Sequence, residues 1–485
     1  MSPGNEQKYR SWVEVDLDAF AANLREIQRL IGPGVDFLQT VKADAYGHGA
    51  IEISHAALRA GARMLGVANA DEGVQLRVSG IEAPIVILGP SIPSEIPDMI
   101  KYNLTPSVSD AGFAEALESR LIRARRKLPV HVEVDTGMGR GGTMHSEALD
   151  LIQRILALPH LVLEGLFSHF AASENLTSYN ERQWKLFSEL LAELARRGIS
   201  IPIRHMDNSG AILNYPGLKL EMTRPGIMTY GIYPSNETRD KAHLTPVMSF
   251  KTTIVLIKEF PAGYGIGYNR TYITQEKTRV ATIPVGYGDG YPFLLSNRGE
   301  ALIRGRRAPV IGRVSMDMCT LDVTDIPDCV VGDEVVLLGR QGDEYISATK
   351  LQPGRRPSAM KFSARWASVR RAFFCKKGKP TPWSRGCAGF SFPAKKNPWR
   401  ASTASSATAS RRAPAARSWA TPSIMKCSRR SSARKTDSSS CGPPSATTSP
   451  SLRCPGAESS GSARTPTFNC GRMSNTKKRS AATCS

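Results

Sequence analysis

The sequence predicts an α/β chain: a (β/α)8, TIM-like barrel, then a mainly β domain, then a disordered basic tail. Three changes of texture predict it. From Trp12 to about Gly231 short β-branched runs alternate with amphipathic helical patterns. After about residue 243 helical periodicity gives way to β-rich runs with Gly turns, and after about Lys350 no period persists. The boundaries fall at residues 11–242, 243–350 and 351–485.

The first region holds nine runs: VEVDL, FLQTVKA, MLGVAN, IVILGP, LTPSVS, VHVEVDT, LEGLFSHF, IRHMDNS and RPGIMTYG. The pattern DAFAANLREIQRLIG puts Phe20, Leu24, Ile27 and Ile31 on one helix face, with Asp18 as cap and Gly32 as stop. NERQWKLFSELLAELARRG ends on two arginines and Gly198, as a helix C-terminus prefers. Repeated strand–helix units over this length match a (β/α)8 barrel. A doubly wound open sheet shows the same alternation, but no GxGxxG follows the first strand. The runs VMSFKTTIVLIKEF, TRVATIPVGYG, APVIGRVSMDMCTLDV and DEVVLLG make the second region a β domain.

Charge and cysteine are unevenly spread. The net charge of +21 over 485 residues belongs to the tail, which has 27 Lys+Arg against Asp437 and Glu458, while the first 350 residues carry −4. The basic balance therefore argues for no specific nucleic-acid partner in the folded part; the tail would bind phosphate backbones only as a salt-sensitive polycation. Cys319 and Cys329 are the only cysteines before residue 350, so this is no disulfide scaffold. With no signal-like start and no apolar run long enough to span a bilayer, the expectation is a cytoplasmic protein without a membrane partner.

Three segments carry candidate chemistry. Lys42 follows an apolar strand in VKADAYGHG, and barrel active sites lie at strand carboxyl ends. A lysine there, in partly apolar surroundings, has a depressed pKa and can form a Schiff base with an aldehyde cofactor, although a surface lysine is the commoner occupant of a strand end. Tyr46 lies within reach of a phosphate, and Gly47 and Gly49 let the backbone approach. In HMDNSGA, Asn208 and Ser209 stand at a strand–helix turn, as neutral phosphate donors or as an ordinary turn. In RPGIMTYG, Arg224 beside a Pro-Gly turn would donate to a pyridine nitrogen without surrendering its proton. The ring would then be a weaker electron sink, which favours plain proton exchange.

These segments, with VDTGMGR, FSHF, GYNRTY, PVGYGDG and GRVSMDM in order, resemble alanine racemase, a fold-type III pyridoxal 5′-phosphate enzyme, over roughly residues 11–350. The resemblance implies interconversion of L- and D-alanine, supplying D-alanine for peptidoglycan. It implies two bases on opposite faces of the α-carbon, Lys42 and Tyr268, the tyrosine coming from a second subunit. A homodimer with shared sites follows. A free tyrosine titrates near pH 10, so a phenolate needs support, here from His169 through Arg224. The cofactor phosphate falls to Tyr46, Asn208, Ser209 and the backbone of Gly226 and Ile227, while Arg140 and Met316 serve the small amino-acid substrate. No metal is implied. A broad-specificity racemase is the alternative activity; a decarboxylase of this fold type would need a partner cysteine, and GYNRTY speaks against it.

Two departures stand out. Where many members carry a carbamylated lysine, this chain has Glu133, a ready-made carboxylate on a shorter stem. After ISATK the family's TxPYE segment, whose tyrosine contacts the phosphate, is missing. Read in the adjacent frame with permitted codons, SAMKFSARWASV becomes YEILCAVGKR. The tail, with 26 serines in 135 residues, is thus expected to be an out-of-frame, disordered translation, leaving the β domain truncated and the enzyme impaired.

Overall fold

The computed structural model describes residues 9–218 and 220–351, with the backbone of Ala372–Lys376 and Lys379–Pro380. The chain opens with β1 (Ser11–Asp16), which lies outside the barrel. Then come β2 (Asp36–Thr40), β3 (Met64–Val67), β4 (Ile85–Ile87), β5 (Thr105–Val108) and β6 (Leu128–Asp135). The two-residue β7 (Thr143–Met144) pairs beside the end of β6. After it follow β8 (Leu161–Phe167), β9 (Ile203–Asn208) and β10 (Met222–Arg224). Without β1 and β7 these are eight strands paired in parallel, and β5 with β6 and β10 with β2 complete a closed barrel.

Seven of the nine sequence runs thus supply barrel strands; RPGIMTYG gives only Arg224 to β10 and then forms a short 3-10 turn at Ile227–Tyr230, and the first run, VEVDL, lies outside the barrel. Its alternation, Val13 and Val15 buried with Glu14 between them, suits a strand with one dry face. True barrel strands such as Ile85–Ile87 are buried throughout, against helices outside and lumen inside. β1 instead pairs antiparallel with β11 (Met248–Thr253) of the β domain, and Lys251 reaches Glu14 at 3.0 Å and Glu334 at 3.2 Å across that sheet. The following helix, Leu17–Ile31, is capped by Asp16, which accepts from the Asp18 and Ala19 amides. The cap therefore stands two residues before the expected Asp18, because Leu17 is already packed; Gly32 ends the helix with φ +78° as expected.

The β domain continues with β12 (Leu256–Phe260), β13 (Gly265–Ile266), β14 (Tyr272–Ile273), β15 (Thr278–Ile283) and β16 (Glu300–Ile303). It ends with β17 (Arg306–Pro309), β18 (Cys319–Asp322), β19 (Glu334–Gln341) and β20 (Glu344–Ile346). One sheet runs β17–β16–β19–β11–β1, a second β12–β15–β18, and β13 with β14 makes a ribbon. The backbone of Ala372–Lys376 adds to the outer edge of β1 in parallel and turns back as Lys379–Pro380. Those seven residues are strand, contrary to the expectation of disorder, because β1 offers an unpaired edge. The rest of that expectation, and the frameshift itself, fall outside the described residues.

Barrel strands alternate inward and outward, and this places the site. Leu38, Met64, Val86, Ile203 and Met222 form one apolar layer in the lumen. Two residues further on, inward positions become polar: His205 follows Ile203 and Arg224 follows Met222, with His131 reached from β6. Gly165 on β8 makes room for them, since a Cβ there would lie 2.4 Å from His131 Nδ1. Another two residues on, the strand ends bring Glu133, His169 and Lys42 to the mouth.

Candidate active site

A cavity of about 1210 Å³ opens at the carboxyl ends of the barrel strands. Its wall contains Lys42, Tyr46, Arg140, His169, Asn208, Ser209, Arg224, Gly226 and Ile227, and also Glu133 and His48. Tyr268 and Met316 are absent from it. Both lie on the β domain, 69% and 55% exposed, so one copy of the chain does not bring them to the cavity.

Lys42 begins an unusual turn. Ala43, Asp44, Ala45 and Tyr46 all have φ between 52° and 57°, giving a left-handed turn of four non-glycine residues. Such backbone costs roughly 1–2 kcal/mol per residue for L-amino acids and persists only where its surroundings enforce it. Glu72 accepts from the Ala43 amide at 2.8 Å and from the Ala68 amide at 2.8 Å, tying the turn to the end of β3. Asp44 accepts from the Ala50 amide at 2.7 Å. Burial, then the Arg140 and Arg224 cations, hold the Lys42 amine below its ordinary pKa, with Glu72 and Glu133 opposing.

Tyr46 ends the turn. Burial pushes its pKa up to about 12, so its hydroxyl keeps its proton and has it to give. Across from it Ser209 accepts from the Gly226 amide at 2.9 Å and the Met228 amide at 3.3 Å, which leaves its own proton to give. A Cβ on Gly226 would lie 3.0 Å from the Tyr46 hydroxyl and 3.9 Å from the Ser209 hydroxyl. Two hydroxyl donors and a bare backbone turn therefore converge on one small space. Asn208 spends its amide oxygen capping the next helix, accepting from Gly210, Ala211 and Ser173.

Below the mouth Arg224 is fully enclosed. Nη1 meets His205 Nδ1 at 2.6 Å; Nη2 donates to the carbonyls of Ser168 at 2.7 Å and Met206 at 3.2 Å and meets His169 Nδ1 at 3.1 Å. Its guanidinium also lies 5.1 Å over the Phe167 ring. Burial lowers its pKa only to about 10, so it stays a cation and a donor. That fixes the tautomers around it. His205 accepts at Nδ1, so its proton sits on Nε2 and goes to His131 Nδ1 at 2.9 Å; His131 in turn gives its Nε2 proton to Glu164 at 3.3 Å. Burial holds both histidines well on the neutral side.

His169 likewise accepts from Arg224 and must carry its proton on Nε2. Burial first, then Arg224, Arg140 and Lys42, keep it neutral. The Asn208 Nδ2 group stands 3.5 Å from that Nε2. Both are donors, so the pair does not bond; together they leave two N–H groups at the cavity wall that call for an acceptor. Arg140 sits on a loop fixed by Asp135, whose carboxylate accepts from the Gly137, Met138 and Gly139 amides at 2.8–2.9 Å. Glu133 is buried with Oε2 unpartnered among the described residues, and burial raises its pKa against the pull of Arg140 and Arg224. Sequence reasoning did not name His48, Glu72, His131, His205 or Glu164. The two buried histidines carried a faint signal, as polar residues at inward positions of the apolar runs VHVEV and IRHM.

Two family models match the chain: the alanine racemase N-terminal domain over residues 15–234 and the C-terminal domain over residues 247–361. The chain is 44% identical to an alanine racemase of Halothermothrix orenii over 342 residues, 70% of this chain and 90% of that one. Its structure resembles the alanine racemase of Clostridium difficile 630, with TM-score 0.74 and 32% identity, covering 78% of this chain and 98% of that one. A histidine racemase from Leuconostoc mesenteroides is also similar, with TM-score 0.71 and 28% identity over 77% and 100% of the two chains.

Fold and site together define an enzyme built on a closed parallel barrel followed by a mainly β domain, with a polar cavity at the strand carboxyl ends. With these likenesses the particular group is plain. The chain belongs to the alanine racemase family of isomerases.

Proposed function

We propose that this chain interconverts L- and D-alanine with pyridoxal 5′-phosphate held on Lys42, and that it acts as a homodimer. The observation that carries the reading is the convergence of Tyr46, Ser209 and the Gly226 turn in the same cavity as a lysine of lowered pKa. That space fits a phosphate, and the amine fits an aldehyde. The cofactor, when bound, withdraws electrons from the amino acid's α-carbon and so makes its proton labile.

The protein's own groups then divide the work. Lys42 takes or returns the proton on one face of the substrate, and the partner subunit's Tyr268 does so on the other. His169, its proton held on Nε2 by Arg224, is placed to donate to a phenolate oxygen. Arg224 remains protonated beside the cofactor ring and keeps the chemistry to proton exchange. Arg140 holds the substrate carboxylate, and Met316 is assigned a backbone donor to it. On this reading D-alanine goes to cell-wall peptidoglycan. Placement in the cytoplasm is supported by Cys319 and Cys329, both buried and unpaired; no described helix is long and apolar enough to cross a membrane.

The test is chemical. Purified protein mixed with pyridoxal phosphate and reduced with borohydride is expected to carry the label on Lys42 and, unreduced, to convert L-alanine to D-alanine. Label on a different lysine, or no uptake, would overturn the assignment. Glu133 gives a second prediction. Because its carboxylate needs no carbamylation, the rate is expected to be unchanged by added bicarbonate, and a several-fold rise would remove Glu133 from the role of standing negative charge beside Arg140.

A further inference from the structure

We propose that His48 is a positioning residue: its ring locks the left-handed turn that sets Lys42 and Tyr46 on one wall of the cavity. The ring is buried, and its Nδ1 lies 3.0 Å from the Ala45 carbonyl and 3.2 Å from the Tyr46 carbonyl. Both partners only accept, so the ring carries its proton on Nδ1 and shares it between two carbonyls of the turn. The His48 backbone amide adds a third bond, to the Ala45 carbonyl at 3.1 Å. The other face of the ring is fixed as well. It stacks on Tyr230 at 4.4 Å between centroids, and the Tyr230 hydroxyl donates to the Thr40 carbonyl at the end of β2. Tyr230 also lies 5.2 Å from the Tyr46 ring. His48 is thus a wedge between Tyr230, in the short 3-10 turn that follows β10, and a turn with no glycine among its four left-handed residues.

The far nitrogen, Nε2, is buried with no partner among the described residues. Only the Nδ1 donor is therefore in use, and burial keeps the ring neutral by lowering its pKa to about 4. An asparagine places its amide nitrogen near where Nδ1 stands; a glutamine reaches toward Nε2; a phenylalanine keeps the stack and loses the donor. This separates the hydrogen bond from mere filling of space.

The inference rests on the cofactor reading, and the test keeps the two apart. Cofactor dissociation constants are measured by absorbance titration for the native chain and for His48→Asn, His48→Gln and His48→Phe. Loss of a buried donor is expected to weaken binding about tenfold or more in His48→Phe and His48→Gln, while His48→Asn stays within about threefold of native. Equal affinities for the Asn and Gln variants overturn the proposal, and so does native affinity in His48→Phe. If His48→Phe does not fold, the Asn–Gln comparison decides alone. If the native chain takes up no cofactor, the reading of function falls, and hydrogen exchange decides the turn. Amides 48–50 should then exchange faster in His48→Gln than in His48→Asn, and equal rates overturn the lock.

Discussion

Mixing Lys42→Ala protein with Tyr268→Phe protein, each inactive alone, is expected to restore racemisation to about a quarter of the native rate per subunit. The figure follows from where the two groups lie. Lys42 is in the barrel cavity, whereas Tyr268 stands 69% exposed on the β domain and away from that cavity. If the phenol acts in the neighbour's cavity, a mixed dimer has one site with both bases and one with neither. Random exchange makes about half the dimers mixed, each with half its sites alive. If Tyr268 served its own chain, neither protein could supply a whole site and mixing would restore nothing. Subunit exchange is checked by native mass spectrometry of differently tagged chains. Proven exchange without recovered activity would remove the partner's tyrosine from the mechanism.

The surface of the β domain supports the same reading. Tyr264, Tyr287, Phe293, Leu294, Met316 and Met318 are, like Tyr268, large side chains of the β domain at least 46% exposed. A second copy of the chain is the occupant that would also complete the site.

What could be read from the sequence follows from how local each cause is. Barrel strands were legible because a strand buried on both faces needs a continuous apolar run, and seven of the nine runs pair as expected; the eighth strand, Met222–Arg224, lies just before RPGIMTYG and was too short to announce itself. VEVDL escaped because strand membership is settled by a partner more than 230 residues away, Val13 opposite Phe250 and Val15 opposite Met248. Lys42, Arg224 and the HMDNS turn were visible as chemical residues at strand ends. The left-handed turn was not, since ADAY contains no glycine or asparagine to announce positive φ, and the forces that hold it come from Glu72 and His48 through tertiary contact. The lumen chain of His131 and His205 was hidden for a like reason: each looks like a single polar residue in its own strand, and only barrel closure brings them to 2.9 Å.

Arg224→Leu is expected to destabilise the cofactor-free protein by an amount on the order of 3–5 kcal/mol, read from urea unfolding. The loss comes from acceptors more than from packing. Leucine leaves the buried Ser168 and Met206 carbonyls and the His205 imidazole without donors, together with His169 at the cavity wall. The imidazoles can partly escape. With Arg224 gone, His205 can move its proton to Nδ1, but His131 then loses the donor that fixed its own tautomer, and the order running to Glu164 is broken. The carbonyls have no such remedy and set a floor of about 1–3 kcal/mol each. Arg224→Lys keeps a cation but offers one compact head in place of a fork, so it should recover only part of the stability. The two variants also differ at His169. Whichever one no longer donates to Nδ1 frees that ring to protonate there, and Nε2 ceases to be a fixed donor toward the partner's Tyr268. Activity should therefore fall further than cofactor binding, in the L-to-D direction and its reverse alike. Native stability in Arg224→Leu would mean that the lumen chain bears no weight, and the tautomer order inferred from it would fail too.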